Sequence, residues 1–419
     1  MKTKMKILVV VDSINIEDSS GSKANVALIH NLQTSGFEVT VYHYTLKKIN
    51  LPDVSCHAIR EIKNSPTYFL SRAQRVITRN LKWNLMPFLE KKFGFSFTFF
   101  NDTRSIIKAL RKMTFQPDLI ITLSKGASFR PHYAVLKMPE LHDKWMAYVH
   151  DPYPFHYYPR PYNWVEPGYD KKENFFRQVS EKAKYSGFPS QLLKEWMGSY
   201  FPDFLNTGVI IPHQNMSYAV QNSVFPSYFD GKKFNLLHAG NLMKQRSPEG
   251  LIEGFKLFLR LNPDAVKDAR LLLLGPASYH TQMLEMYQKN SPEIYIYNGN
   301  VPFDEVYNLQ KNASVNIILE AKSEISPFLP AKFPNCIEAN KAILSLAPYY
   351  SETRRLLGND YSFWAEADAV EKIAELIEKL YLMWKQNPEN LLLNRNDLEE
   401  YVSGAYLKKV MTVYRKNPN

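Results

Sequence analysis

The chain has 419 residues, 45% apolar and 22% charged, an ordinary globular balance with room for about two domains. No apolar run approaches the ~18 residues of a membrane span, two cysteines (Cys56 and Cys336) cannot build a disulfide framework or a zinc site, and Ile7–Val11 is too short for a signal-peptide core, so a cytoplasmic protein is expected. The net charge of +11 is uneven: residues 1–205 hold 29 Lys and Arg against 18 Asp and Glu, residues 206–419 hold 23 of each, and such asymmetry points to an anionic partner for the first half.

Lys6–Asp12 reads as a strand buried on both faces, ending in an acid. A polar loop, Ser13–Ser22, leads to a helix over Lys23–Ser35, stopped by Gly36, and Phe37–Tyr44 alternates as a second strand. Thr67–Lys112 is a long helical tract, basic and aromatic, in which Arg72, Arg75, Arg79 and Lys82 recur every three or four residues beside Trp83. Strands follow at Asp118–Ser124 and Trp145–Asp151. The rhythm restarts with Gly208–Pro212, then a polar stretch, His213–Lys233, then strands at Phe234–Gly240, Arg270–Gly275, Ile294–Gly299, Val315–Glu320 and Ala342–Pro348, with helices between them. Ala367–Lys385 and Asn396–Arg415 are amphipathic helices. Helices alternating with buried strands give an α/β protein of two doubly wound domains, whose ligand sites should follow the carboxyl ends of strands. The expected boundaries are 1–207 and 208–395, with 396–419 a helix returning to the first domain.

Two loops stand out. Gly240-Asn241-Leu242-Met243-Lys244-Gln245-Arg246-Ser247 places a glycine and a basic loop between a strand and a helix start, where backbone N–H groups, the helix dipole and a cation can hold a phosphate. Ser323–Lys332 is a proline-punctuated loop before a short helix and offers free N–H groups near Phe328 and Leu329 together with Lys332.

In this order, about 85 residues apart, these loops resemble the C-terminal domain of GT-B glycosyltransferases, most closely the group-1, retaining, nucleotide-sugar-dependent family. Its Gly-Arg-Leu-x-x-x-Lys-Gly pattern is matched by Gly240–Ser247, with Arg246 at the second basic position, Asn241 at the first, and Lys244 as a compensating cation. Leu274-Gly275-Pro276 matches a strand end, and Gly299-Asn300-Val301 matches the turn that borders the nucleobase. The family's two glutamates, eight residues apart before a Gly-Lys-Pro turn, are absent. Anchoring on Asn340-Lys341-Ala342 puts Asn335 in the ribose-binding place and Pro327 in the sugar-contacting one, with Glu338 the substitute if the register slips. Ser326–Lys332 resembles a Pro-Phe-Leu-Pro-Ser-Lys variant of the loop. In the first half, Asp12–Gly36 resembles the opening loop and helix, with Gly21 near donor phosphates or the acceptor. Trp145–Pro152 resembles the strand ending in a His-Asp pair, Gly187–Met197 its next helix, and Ile210–His213 the hinge.

The resemblance implies a GT-B fold, two Rossmann-like domains facing each other across a cleft. It implies a glycosyltransferase that takes a nucleoside-diphosphate sugar as co-substrate, with no cofactor and no metal, and a glycan or lipid-linked acceptor. Arg246, Lys332, Lys244, Phe328, Leu329 and Gly21 would hold the diphosphate, Gly299, Asn300, Val301, Asn335 and Glu338 the nucleoside, and His150 and Asp151 would serve the chemistry. A non-catalytic sugar-nucleotide-binding subunit and a nucleotide-sugar epimerase or hydrolase of the same fold are the alternatives. The basic tract gives an anionic membrane surface as a further expected partner, on its inner face. No recognition motif accompanies the charge, so nucleic acid is not expected.

Overall fold

The computed structural model describes residues 4–45, 47–82, 84–126, 128–215 and 225–416; Trp83 and the middle of the polar stretch lie outside the described residues. The chain divides into two compact units, one of Met1–Tyr158, Asn163–Met216 and Ser403–Asn419, the other of Pro159–Tyr162 and Ser217–Val402.

In the first unit the elements run β1 (Lys6–Val11), α1 (Ser20–Thr34), β2 (Glu38–His43), β3 (Ser55–Ala58), α2 (Pro66–Leu81), α3 (Met86–Phe93), α4 (Phe97–Leu110), β4 (Leu119–Leu123), α5 (Arg130–Leu136), β5 (Trp145–Tyr148), α6 (Tyr169–Lys182), β6 (Tyr185–Phe188), α7 (Gln191–Tyr200), α8 (Asp203–Thr207) and β7 (Gly208–Ile210). The second unit continues with β8 (Phe234–Ala239), α9 (Glu249–Leu261), β9 (Ala269–Leu274), α10 (Thr281–Asn290), β10 (Ile294–Tyr297), α11 (Phe303–Asn312), β11 (Val315–Leu319), β12 (Ile325–Ser326), α12 (Phe333–Glu338), β13 (Ala342–Leu346), β14 (Tyr350–Ser351), α13 (Glu352–Leu357), β15 (Trp364–Ala365), α14 (Val370–Gln386) and α15 (Asn396–Tyr401); α16 (Gly404–Lys416) belongs to the first.

The first sheet has the order β3-β2-β1-β4-β5-β6-β7 and the second β10-β9-β8-β11-β13-β15, each parallel throughout. Both are doubly wound, and winding reverses at β1/β4 and at β8/β11. Leu8, Val10 and Ile120 pack on one face of the first sheet, with Phe129, Trp145, Phe176 and Phe188 among their neighbours. Ile7, Val9 and Val11 face the other way, toward Val26, Ile29 and Leu32 of α1 and Leu407 and Met411 of α16. The second core gathers Phe234, Leu236, Leu271 and Ile317 with Phe255 and Phe258 of α9 and Ile373 and Ile377 of α14.

Several elements differ from their sequence reading. The tract Thr67–Lys112 is three helices: α2 ends at Lys82, whose φ is +55, and Gly94, at φ +83, closes α3. Gly187 and Phe188 belong to strand β6, and the helix begins at Gln191, where the Ser190 hydroxyl accepts the Leu193 N–H. The last helix is two, with the Ser403 hydroxyl accepting the Tyr406 N–H at the start of the second. Strand β7 stops at Ile210, short of Pro212, which has no N–H for a ladder.

Candidate functional site

In the second unit, Gly240 follows β8 and Glu320 follows β11, the adjacent strands at which winding reverses. Two glycines let the strand ends approach. A Cβ on Gly275 would lie 2.4 Å from the Gly240 carbonyl oxygen, and one on Gly240 would lie 2.8 Å from the Lys332 Nζ. That ammonium is 3.2 and 3.4 Å from the ring nitrogens of His238, a buried residue of β8. Burial, followed by repulsion from Arg246, lowers the Lys332 pKa from 10.5 to about 7, while Cys336 and Glu320 oppose the shift. Burial and then Lys332 and Arg246 hold His238 well below the usual imidazole range, so it stays neutral.

Arg246 donates from Nη1 to the Asn241 carbonyl at 3.3 Å, and its Nε has no hydrogen-bond partner among the described residues. Glu320 accepts the Ser326 hydroxyl, has the Thr353 hydroxyl beside it, and has its pKa raised by burial. A buried donor without a partner is costly unless a ligand supplies one. Two cations gathered at a switch point, one of them held near neutrality, make a site that gains from an arriving polyanion.

The other second-unit residues sit around this point unequally. Lys244 is exposed on the β8–α9 loop. Phe328 is half-buried and edge-on to Tyr162, 6.1 Å between centroids, whereas Leu329 is buried with Phe333, Cys336 and Ile337, leaving its backbone as the part a ligand could use. Gly299, Asn300 and Val301 form the turn between β10 and α11. Asn335 is half-buried on α12; Glu338, one turn on, accepts the Tyr307 hydroxyl of α11 and lies 3.5 Å from Lys311. Asn340 has φ +49, the left-handed backbone that a glycine supplies in a Gly-Lys-Pro turn.

In the first unit, His150 lies just past the carboxyl end of β5, buried. Asn25 of α1 gives its amide N–H to the Ser124 carbonyl, so its Oδ1 accepts from His150 Nε2 at 2.6 Å. This fixes the tautomer and leaves Nδ1 as a buried acceptor with no partner among the described residues. The ring stacks on His213 at 5.6 Å. Burial, then His213 and His132, pushes its pKa well below 6.5. Asp151 follows directly, its carboxyl raised to about 6 by burial. Gly21 is in the first turn of α1, one turn before Asn25, and the protein itself would leave ordinary contact distance, 3.8 Å or more, to a side chain there.

Sequence reasoning missed His238, Glu320 and Asn25. His238 and Asn235 are the polar residues of the otherwise apolar β8, a signal visible in the chain, but what they face is set by the fold.

No family model matches the chain, and no curated protein sequence matches it significantly. The likeness is to solved structures. The E. coli trehalose-6-phosphate structure bound with UDP-2-fluoro glucose superposes at a TM-score of 0.61 and 10% identity, covering 98% of this chain and 99% of that one. The UDP-forming α,α-trehalose-phosphate synthase of Burkholderia xenovorans, in complex with glucose-6-phosphate, gives 0.63 and 8%, covering 98% and 100%. WaaG, a glycosyltransferase involved in lipopolysaccharide biosynthesis, gives 0.58 and 11%, covering 97% and 100%. The chain has the GT-B fold, built from two Rossmann-like units.

Proposed function

We propose that the protein is a glycosyltransferase that moves a sugar from a nucleoside-diphosphate donor to a glycan or lipid-linked acceptor, with retention, in the assembly of cell-surface polysaccharide or glycolipid. The observation that carries this is the placing of Arg246 and Lys332 together at the β8/β11 switch point, beside a glycine whose Cβ would displace the lysine. Departure of a nucleoside diphosphate builds negative charge on the leaving oxygens, and pre-placed cations in a poorly solvated site stabilise it more than water does. The backbone at Phe328 and Leu329 and the exposed Lys244 complete the diphosphate set, and the reading assigns no cofactor and no metal beyond the co-substrate.

The left-handed Asn340 supports the register that places Asn335 at the ribose, since Glu338 is already engaged by Tyr307 and Lys311. The turn Gly299-Asn300-Val301 borders the base. His150, neutral and with Nδ1 free to accept, orients a substrate hydroxyl; Asp151, with a pKa near the working range, takes up the acceptor's proton or leaves it to the departing phosphate oxygen.

Association with an anionic membrane face is part of the same proposal. Helix α2 buries Ser71 and Gln74 and exposes Phe69, Leu70, Val76 and Leu81, and α3 exposes Phe88 and Phe93 beside Lys91 and Lys92. Arg72 pairs with Glu61, while Arg79 and Lys82 are exposed. Apolar side chains interleaved with exposed cations suit a headgroup boundary. No helix among the described residues is long and apolar enough to cross a membrane.

The test is a thermal-shift titration with UDP, GDP, ADP, CMP and their sugar conjugates. A ligand at one hundred times its Kd stabilises by about 2.7 kcal/mol. A shift with one base, weakened about tenfold or more in affinity by Arg246→Ala, supports the proposal, and no shift with any nucleotide in folded protein defeats it. Product analysis with and without acceptors then separates transfer from hydrolysis, epimerisation and mere binding.

A further inference from the structure

We propose that the first unit carries a second anion site: an open hollow of about 480 Å³ lined by Ser65 and the exposed Arg104, Lys108, Arg111, Lys112 and Lys137, which takes a ligand bearing two or more adjacent phosphate groups. Arg104, Lys108 and Arg111 recur at i, i+4 and i+7 and so share one face of α4 and its C-cap; Lys112 follows, and Lys137 caps α5, which packs beside α4. Like charges at this spacing work against a helix, so the sequence carries them at a disadvantage.

Among the described residues none of the five has a carboxylate partner; Lys137 meets only the Tyr133 ring, at 5.3 Å. Cations with structural work elsewhere are paired, as Lys172 is with Glu90 and Glu166, and Arg395 with Asp397. Helix C-terminal dipoles would favour a cation or two at the end of α4 and of α5. They do not account for five, nor for Arg104, which lies well before the end of α4 at Leu110.

The pocket is separate from the site already described. Helices α4 and α5 lead into β4 and β5, so their C-termini lie at the amino edge of the first sheet, whereas His150 and Asp151 follow the carboxyl edge. The chemistry specifies the ligand. Guanidinium forks engage two oxygens of one phosphate, and ammonium groups add point charges to its neighbour. A single monoanion would leave most of the charge unanswered.

Adjacent phosphates occur in free metabolites and in lipid headgroups, and two arms tell these apart. The probe for the first is inorganic pyrophosphate, titrated calorimetrically into the full chain in an Arg246→Ala, Lys332→Met background, which removes the cations of the proposed donor site. One remaining site is expected, with affinity reduced at least tenfold by adding Arg104→Ala and Arg111→Ala, both exposed positions whose replacement should leave the fold intact by circular dichroism. The second arm is flotation with vesicles containing phosphatidylinositol 4,5-bisphosphate, whose headgroup carries two adjacent phosphates, against phosphatidylcholine vesicles. Loss of flotation in the Arg104→Ala, Arg111→Ala variant but not in Lys289→Ala, an exposed cation of the second unit, identifies a headgroup; pyrophosphate binding without that loss identifies a soluble ligand. If the background protein binds pyrophosphate no better with the pocket than without it, the proposal fails. Nucleotide thermal shifts in the pocket variant, which should be unchanged, test the donor site separately, so either idea can fall alone.

Discussion

Lys332 makes donor binding a proton-coupled event. Free, with a pKa of about 7, it is roughly one-tenth protonated at pH 8 and roughly nine-tenths at pH 6. A diphosphate beside Nζ supplies the counter-charge that Arg246 and burial deny it, and returns the lysine toward its ordinary value of 10.5. Binding at pH 8 should therefore take up about 0.9 proton, and at pH 6 about 0.1. Apparent Kd should rise about fivefold from pH 7 to 8 and about tenfold from 8 to 9, because the free protein must first be protonated. A nucleoside-diphosphate sugar is the ligand of choice, since its diphosphate carries no group titrating in this range, and His238 stays neutral throughout. Calorimetry in two buffers of different ionisation enthalpy counts the protons. Arg246→Ala should weaken binding and shrink the uptake, since the repulsion that depresses Lys332 goes with it. Uptake below about 0.2 proton at pH 8, or uptake unchanged in Lys332→Met, would refute the coupling.

Other outcomes follow from the same geometry. Gly240→Ala or Gly275→Ala should abolish nucleotide-induced thermal shifts, the first by driving Lys332 away and the second by separating the β8 and β9 ends; a normal shift in either contradicts the close approach. Asn340→Ala should destabilise by about 1–2 kcal/mol in urea unfolding, through the left-handed backbone and the lost bond from the Asn394 N–H at 2.8 Å, and Asn340→Gly by less. Asp151→Asn should lower kcat by about 10–100-fold and remove an acid limb near pH 6 from the rate profile, since a carboxyl with a raised pKa is a competent base only above it; an unchanged limb assigns the proton elsewhere.

Much of this architecture was legible because buried parallel strands are short apolar runs: β1, β8, β9 and β11 end directly at an acid or a glycine, while β4 runs into Ser124 and β13 into Ala347-Pro348. Strand β3, Ser55-Cys56-His57-Ala58, was not: it is a mostly exposed edge strand with no apolar face to betray it. The polar α6 escaped for a related reason, having only a narrow buried stripe of Phe175, Phe176 and Val179. Periodicity found the cations of α2 but could not say which face turns inward, because that depends on Asn101 and Ser105 of α4, whose polar groups hold Ser65 and the Ile62 backbone. The pairing of Lys332 with His238, 94 residues apart, follows from sheet order, and neither residue announces the other.

Helix α16 bears on how the chain is made. Leu407 and Met411 are wholly buried beside Ile7, Val9 and Ile29, and Gly404 lies so close to α1 that a Cβ would come within 2.9 Å of Asn31. The first unit thus waits for residues translated after the whole of the second. At about 5–20 residues per second the ribosome needs roughly 10–40 s to pass from residue 215 to residue 403. For that interval the nascent first unit exposes an apolar strip on α1, an opening for chaperones and for aggregation alike, and its lifetime is set by translation speed rather than by any folding barrier.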